Sequence, residues 1–316
     1  MKKQLVQVGF FTPDLQRQID SEFDSVEAEL ADAGLRATVQ GLITRSNYQL
    51  PQALLEGLPA LRVIATSGVG FDGIPVSYAQ QRGIVVTNTP GLLDAAVCEL
   101  GVGLLLAMLR EIPQSDRFVR DGAWAQSVYP LTSSLSGKRI GIIGLGRIGK
   151  GMAARLEAFG VSLAYSGRRQ EDSPFRHFAS PLALAQEVDV LLVCCKGGEQ
   201  TRHLVNAALL EALGKGWLVN LSRGSVVDEW ALFEALTKGS LRGAALDVYE
   251  QEPLVDSPLL GLKNVVFSPH AGSATVETRA EMLRLTLDNL HAVLGGKAAL
   301  TPVLAIDRTR VLRESW

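Results

Sequence analysis

Short apolar stretches alternate with segments of helical period from one end of the chain to the other. Strands are expected at 5–8, 39–44, 61–66 and 84–87, with short helical segments between them. Thr12-Pro13-Asp14 reads as a helix start, with a Thr cap, Pro at the first helical position and an acid in the first turn. Strands separated by helices in this way imply a parallel sheet covered by helices. A second run follows, with strands expected at 139–144, 161–165, 189–195, 217–221, 244–248 and 265–268. Six such strands suffice for a doubly wound, dinucleotide-binding unit.

Two segments differ in pattern. Residues 99–110 are apolar on nearly all sides, which predicts a helix buried against another domain or subunit. Val276, Ala280, Leu283, Leu287, Leu290 and Leu294 recur at steps of three and four, which predicts one long amphipathic helix. The second run is the more complete, which suggests that it is inserted into the first and that the last ~20 residues return to the N-terminal domain.

Composition narrows the class. The 316 residues suit two domains and are 47% hydrophobic, enough to build sizeable cores. Lys and Arg number 31 against 33 Asp and Glu, a net charge of −2, so no broad basic surface awaits nucleic acid or an anionic membrane. The longest apolar run, 100–109, is ten residues with two glycines, too short to span a bilayer. Gln4 and Gln7 interrupt what would have to be a signal-peptide apolar stretch. Three cysteines, two of them adjacent, form neither a disulfide framework nor a metal-ligand spacing. A cytoplasmic protein without bound metal is expected.

The chemistry begins at Gly144-Leu145-Gly146-Arg147-Ile148-Gly149, a G-x-G-x-x-G between an expected strand and a helical segment at 150–159. Glycines there let the backbone turn tightly and approach a pyrophosphate seated on the helix N-terminus. Where an NAD-binding unit carries an acid at the end of its second strand, this chain has Ser166, followed by Gly167, Arg168 and Arg169. An acid would accept a ribose 2′-hydroxyl and repel a 2′-phosphate. A serine with two arginines reverses both preferences, so NADPH is expected over NADH, with Glu171 and Asp172 able to rescue some NAD binding.

Four histidines could serve as a proton donor. His177 in a Pro-flanked loop, His203 at an expected helix start and His291 on the polar side of the long helix read as structural or solvated. His270 ends the last expected strand, at the sheet edge where doubly wound folds bind ligands. Histidine donates a proton near neutral pH with little tuning. Arg223 follows the strand at 217–221 and could clamp a carboxylate in bidentate fashion. Glu252 follows the strand at 244–248, and a carboxylate beside a histidine holds its tautomer and favours its protonated form. One Arg, one acid and one His thus stand at the ends of three successive strands.

These residues resemble the D-isomer-specific 2-hydroxyacid dehydrogenases over about 61–303. The resemblance rests on Ser67-Gly68-Val69-Gly70-Phe71-Asp72, Leu145-Gly146-Arg147-Ile148-Gly149, Ser222-Arg223-Gly224-Ser225-Val226-Val227-Asp228, Asp247-Val248 with Glu252-Pro253, and Pro269-His270. Tyr129-Pro130-Leu131-Thr132 and the loop 166–169 are similar to those of NADPH-using glyoxylate/hydroxypyruvate reductases. The resemblance implies an α/β fold of two doubly wound parallel-sheet domains. A Rossmann cofactor domain, 99–285, would be inserted into a flavodoxin-like substrate domain, 1–98 plus 286–316. It implies that Arg223 binds and polarises a 2-oxo acid, that His270 donates the proton with Glu252 tuning it, and that Val69 and Gly70 offer backbone N–H groups to the substrate carboxylate. Asp247 would meet the nicotinamide carboxamide and Gly272 would border the cofactor. A homodimer formed through the cofactor domain is implied as well. Cys195-Lys196-Gly197-Gly198 replaces the usual Pro-Leu-Thr, and Cys98 stands where alanine is usual. The reading is NADPH-dependent reduction of a short 2-oxo acid, glyoxylate or hydroxypyruvate, to the D-2-hydroxy acid. Its rivals are 2-ketogluconate or an arylpyruvate as substrate, and a cofactor-sensing, corepressor-like binding protein.

Overall fold

In the computed structural model the described residues are 2–303. The segment after Val303, expected to close the substrate domain and given no role, lies outside them. The described chain falls into two compact units, 2–93 with 274–303, and 94–273. The crossings lie at helix starts, not at 98/99 and 285/286 as expected. The helix Asp94–Leu109 lies wholly in the second unit and the helix Val276–Leu294 wholly in the first.

The first unit holds β1 (Lys3–Gln7), β2 (Phe23–Glu27), β3 (Gly41–Arg45), β4 (Val63–Ser67) and β5 (Val85–Thr87), all parallel, in the order β2-β1-β3-β4-β5. This is the flavodoxin-like order. Alternate residues face alternate layers. Val6, Leu42, Ile64 and Val86 enter one apolar cluster, and Leu5, Ile43 and Val63 enter another with Leu283, Leu287 and Leu290 of Val276–Leu294. The expected stripe on that helix holds from Leu283 onward, while Val276 is exposed. The sequence pattern does not announce β2, because only Phe23 of this edge strand is buried and three of the other four residues are polar, with Val26 half-buried. Past the long helix the chain returns to this sheet. Buried Asn289 accepts the N–H groups of Leu300 and Thr301 at 3.0 and 3.1 Å, and Val303 N–H donates to Val86 O at 2.7 Å.

The second unit holds β6 (Arg139–Ile143), β7 (Ser162–Ser166), β8 (Arg176–Phe178), β9 (Val190–Val193), β10 (Trp217–Asn220), β11 (Gly243–Leu246) and β12 (Val265–Phe267). They form one parallel sheet ordered β12-β11-β10-β9-β6-β7-β8. This is the Rossmann winding, with the direction of strand addition reversing between β6 and β9. Seven strands stand where six were expected. His177 lies in β8, not in a loop, because three residues flanked by bends are too few to register as a periodic run. The helix Asp94–Leu109 starts earlier than expected and packs against its own unit. A Cβ at Gly101 would lie 2.5 Å from Leu221, and one at Gly151 2.7 Å from Cys98 Sγ, so glycines set the approach of this helix to Arg147–Leu156.

Candidate active site

Parallel pairing of β10, β11 and β12 places Asn220, Leu246 and Phe267 side by side, so Arg223, Glu252 and His270 leave neighbouring strand ends. Glu252 bridges two of these elements. Its Oε2 lies 2.7 Å from His270 Nδ1, and its Oε1 accepts Tyr249 N–H at 3.1 Å. With Nδ1 on the carboxylate, Nε2 is left to face a second partner. Both side chains are about a quarter exposed or less, which shields the pair without closing it off.

The backbone fixes the ring from the other side. His270 has φ 52, a left-handed conformation uncommon outside glycine, and its N–H donates to Asp247 O at 2.8 Å. The Asp247 carboxylate is buried and committed to the chain. Oδ1 accepts Ser268 Oγ–H at 2.6 Å and Ala271 N–H at 2.7 Å, and Oδ2 accepts Gly272 N–H at 2.9 Å. Burial raises the Asp247 carboxyl above the usual range, while these donors and His270 pull the other way.

Sequence reasoning missed two supports of this edge. Tyr249 is buried with its hydroxyl 3.0 Å from Leu246 O and 2.9 Å from Ser268 O, and it accepts Ser268 N–H at 3.2 Å. Burial pushes its phenol up to about 12. Glu229 accepts Glu250 N–H at 2.7 Å, and burial raises its carboxyl too, with Glu250 and Glu252 adding repulsion. His203 sits in a turn at φ 49, not at a helix start, and Nε2 pairs with Glu250. Runs of acids after a strand were the available signal, but nothing in spacing separates an anchor from a surface charge.

Arg223 is half-buried. Its Nη1 donates to Ser222 O at 2.9 Å, and its own carbonyl accepts Asn220 Nδ2–H at 3.0 Å. Ser222 Oγ–H donates to Cys195 O, tying the end of β10 to that of β9. A Cβ at Gly197 would lie 2.5 Å from Arg223 Cγ, so the Lys196-Gly197-Gly198 departure leaves room for the arginine stem.

The glycine loop joins β6 to the helix Arg147–Leu156 at the reversal of strand order. A Cβ at Gly144 would meet Cys195 N at 2.7 Å, and one at Gly149 would meet Gly144 O at 2.2 Å. Gly146 caps the helix with no side-chain bond and opens onto free space, so the first N–H groups stay available to an anion. Ile148 is half-buried, and Arg147 is half-exposed with Nε 3.0 Å from Asp94. Ser166 ends β7 with its Oγ fully buried and, among the described residues, without a partner. It thus contributes the absence of an acid more than a surface hydroxyl. Arg168 and Arg169 are exposed beyond it. The open cradle and the two guanidiniums fit a phosphorylated dinucleotide. In the other unit, Val69 and Gly70 follow β4, and neither N–H has an acceptor among the described residues. His291 lies on the exposed face of its helix, 2.6 Å from Glu22.

Residues 102–272 match the model of the D-isomer specific 2-hydroxyacid dehydrogenase, NAD binding domain. The chain belongs to this family. It is 45% identical over 271 residues to glyoxylate/hydroxypyruvate reductase A of Arabidopsis thaliana, covering 85% of this chain and 87% of the relative. It is 43% identical to hydroxyphenylpyruvate reductase of Plectranthus scutellarioides, covering 84% and 86%. Among solved structures, the NADPH-dependent glyoxylate/hydroxypyruvate reductase of Sinorhizobium meliloti, in complex with NADP and malonate, superposes with a TM-score of 0.90 at 42% identity, covering 96% and 97%. This D-2-hydroxyacid dehydrogenase is therefore an oxidoreductase that takes a nicotinamide cofactor and a small-molecule substrate. No helix among its described residues is long and apolar enough to cross a membrane.

Proposed function

We propose that this dehydrogenase reduces a short 2-oxo acid, glyoxylate or hydroxypyruvate, to the D-2-hydroxy acid with NADPH. The observation that carries the reading is the 2.7 Å contact of Glu252 with His270 Nδ1, which fixes the ring and leaves Nε2 to give a proton. NADPH, when bound, supplies the hydride that adds to the carbonyl carbon. Arg223 holds the carboxylate and polarises the carbonyl, and Val69 and Gly70 offer N–H groups to the same carboxylate. As negative charge builds on the carbonyl oxygen, His270 Nε2 protonates it, and the neutral ring regains its proton from solvent. Glu252, on Nδ1, holds the tautomer. Gly144 to Gly149 seat the pyrophosphate, with Arg147 and Ile148 on the first helical turn. Arg168 and Arg169 meet the 2′-phosphate, Ser166 replaces an acid that would repel it, and Asp247 and Gly272 border the nicotinamide.

Steady-state oxidation of NADPH and NADH, run in parallel against glyoxylate, hydroxypyruvate, hydroxyphenylpyruvate and 2-ketogluconate, tests this. The expected result is turnover of glyoxylate or hydroxypyruvate with NADPH far above NADH. Preference for NADH overturns the cofactor assignment, and faster turnover of a larger acid overturns the substrate. Cofactor binding without turnover of any acid favours a cofactor-sensing binding protein.

A further inference from the structure

Glu171 lies five residues beyond the strand end where an NAD-type acid would sit, and it bridges two cations that leave different elements. Its Oε2 lies 3.0 Å from Lys150 Nζ, on the first turns of the helix that follows the glycine loop. Its Oε1 lies 3.3 Å from Arg169 Nε, in the loop after β7. The residue is not a loose surface acid. Buried Tyr165, on β7, accepts Glu171 N–H at 2.8 Å and donates its hydroxyl to Glu171 O at 3.3 Å, which fixes the backbone of the loop. Lys150 and Arg169 therefore bracket the space between the helix start and the end of β7, where the adenosine ribose of a dinucleotide lies in this winding.

We propose that Glu171 is a specificity-determining residue of the cofactor site, an internal anion that competes with the 2′-phosphate for Lys150 and Arg169. The proposal rests on the NADPH reading above. Both carboxylate oxygens are engaged by cations, so Glu171 is not placed as the acceptor of a ribose hydroxyl. A dianionic phosphate entering here must displace the carboxylate from one or both cations and also suffers its repulsion. Arg168, exposed beside Arg169, carries no such counterion among the described residues. A bound NADPH accordingly meets one cation that is free and two that must be exchanged. That arrangement lowers NADPH affinity below what three cations would give, and leaves a cofactor without the 2′-phosphate untouched.

Equilibrium binding of NADPH, NADH, 2′,5′-ADP and 5′-AMP to the wild-type protein and to Glu171→Gln, by calorimetry at low salt, tests the proposal. Exposed ion pairs are weak, so NADPH and 2′,5′-ADP are expected to bind about threefold to tenfold tighter to Glu171→Gln, with NADH and 5′-AMP unchanged. The gain should shrink as ionic strength rises, and Glu171→Asp, which keeps the charge, should stay near wild type. Unchanged or weaker NADPH binding in a variant that melts like the wild type overturns the proposal. Weaker NADH binding would make Glu171 a ribose ligand and overturns it as well. A wild-type protein that binds NADH as tightly as NADPH removes the cofactor reading itself, whatever the variant does.

Discussion

The carboxylate of Glu252 is held at both ends, with Oε1 on the N–H of Tyr249 and Oε2 on Nδ1 of His270. One side chain thereby sets the tautomer of the ring and fixes the turn that delivers it. His270→Ala should lower kcat about 10²–10⁴-fold, the usual contribution of a placed proton donor. Glu252→Ala should cost less, since losing a hydrogen bond to a charged group, worth about 1.5–3 kcal/mol, corresponds to roughly 10- to 150-fold in rate. Glu252→Gln should fall between Glu252→Ala and wild type, because its amide oxygen can still accept from Nδ1–H. Single-turnover reduction of glyoxylate checks the order. A His270→Ala enzyme with wild-type turnover would remove the proton donor from this position.

Tyr249 ties β11 to the end of β12, and its phenol is pushed from 10.0 up to about 12 by burial. Between these values the unfolded chain has given up its proton while the folded chain keeps it. The folded state then holds more protons, so stability falls as the pH rises. The contribution is fully present below pH 10 and gone above 12, about 2–3 kcal/mol in all. Tyr249→Phe should lose about 0.5–1.5 kcal/mol near neutrality, since it removes the phenol's bonds to Leu246 O and Ser268 O while Ser268 N–H keeps Leu246 O at 2.9 Å, and should lack the wild type's extra decline between pH 10 and 12. Denaturant melts across that range give both quantities.

Strand and helix order was legible because buried parallel strands write themselves as continuous apolar runs, as Val190–Val193 does throughout and 217–219 does up to buried Asn220. The strand-end residues Arg223, Glu252 and His270 were legible for a related reason, since the winding fixes which sheet edge binds ligands. Phe23–Glu27 and Arg176–Phe178 were not, being short edge strands with one buried residue apiece. Tyr249 and Glu229 escaped because their importance lies in contacts with residues about twenty positions away, Ser268 and Glu250, and no local period encodes them. Ser166 was found by position, yet its hydroxyl points into the interior, which only packing could decide.

The three cysteines stand close to the cofactor loop without serving as nucleophiles. Burial raises Cys98 and Cys194 and pushes the Cys195 thiol up to about 11. At pH 8 the reactive thiolate is therefore scarce as well as shielded. A chromogenic disulfide reagent should find almost no fast-reacting thiol in the native protein and all three in guanidinium chloride. A stoichiometric fast reaction in the native state would contradict this packing.

Gly224 is the position where the smallest change should reach the chemistry without touching a reacting group. A Cβ built on it would lie 1.7 Å from Tyr249 C and 2.2 Å from Glu250 N, inside the backbone of the turn that carries Glu252. Those atoms are main chain and cannot rotate aside as a flexible side chain would. Gly224→Ala must push the turn away, and Glu252 is coupled to it through Tyr249 N–H. Arg223, one residue earlier, shifts with the same displacement. The strain should cost about 1–3 kcal/mol of stability, within the range for overpacking a close contact. The activity loss should be larger than that stability loss implies, at least tenfold in kcat, because a displacement of about 1 Å suffices to misalign a proton donor. Tm and kcat measured on the same preparation separate the two. A variant that loses stability while keeping its kcat would show that the Glu252 turn and the proton donor are not mechanically linked.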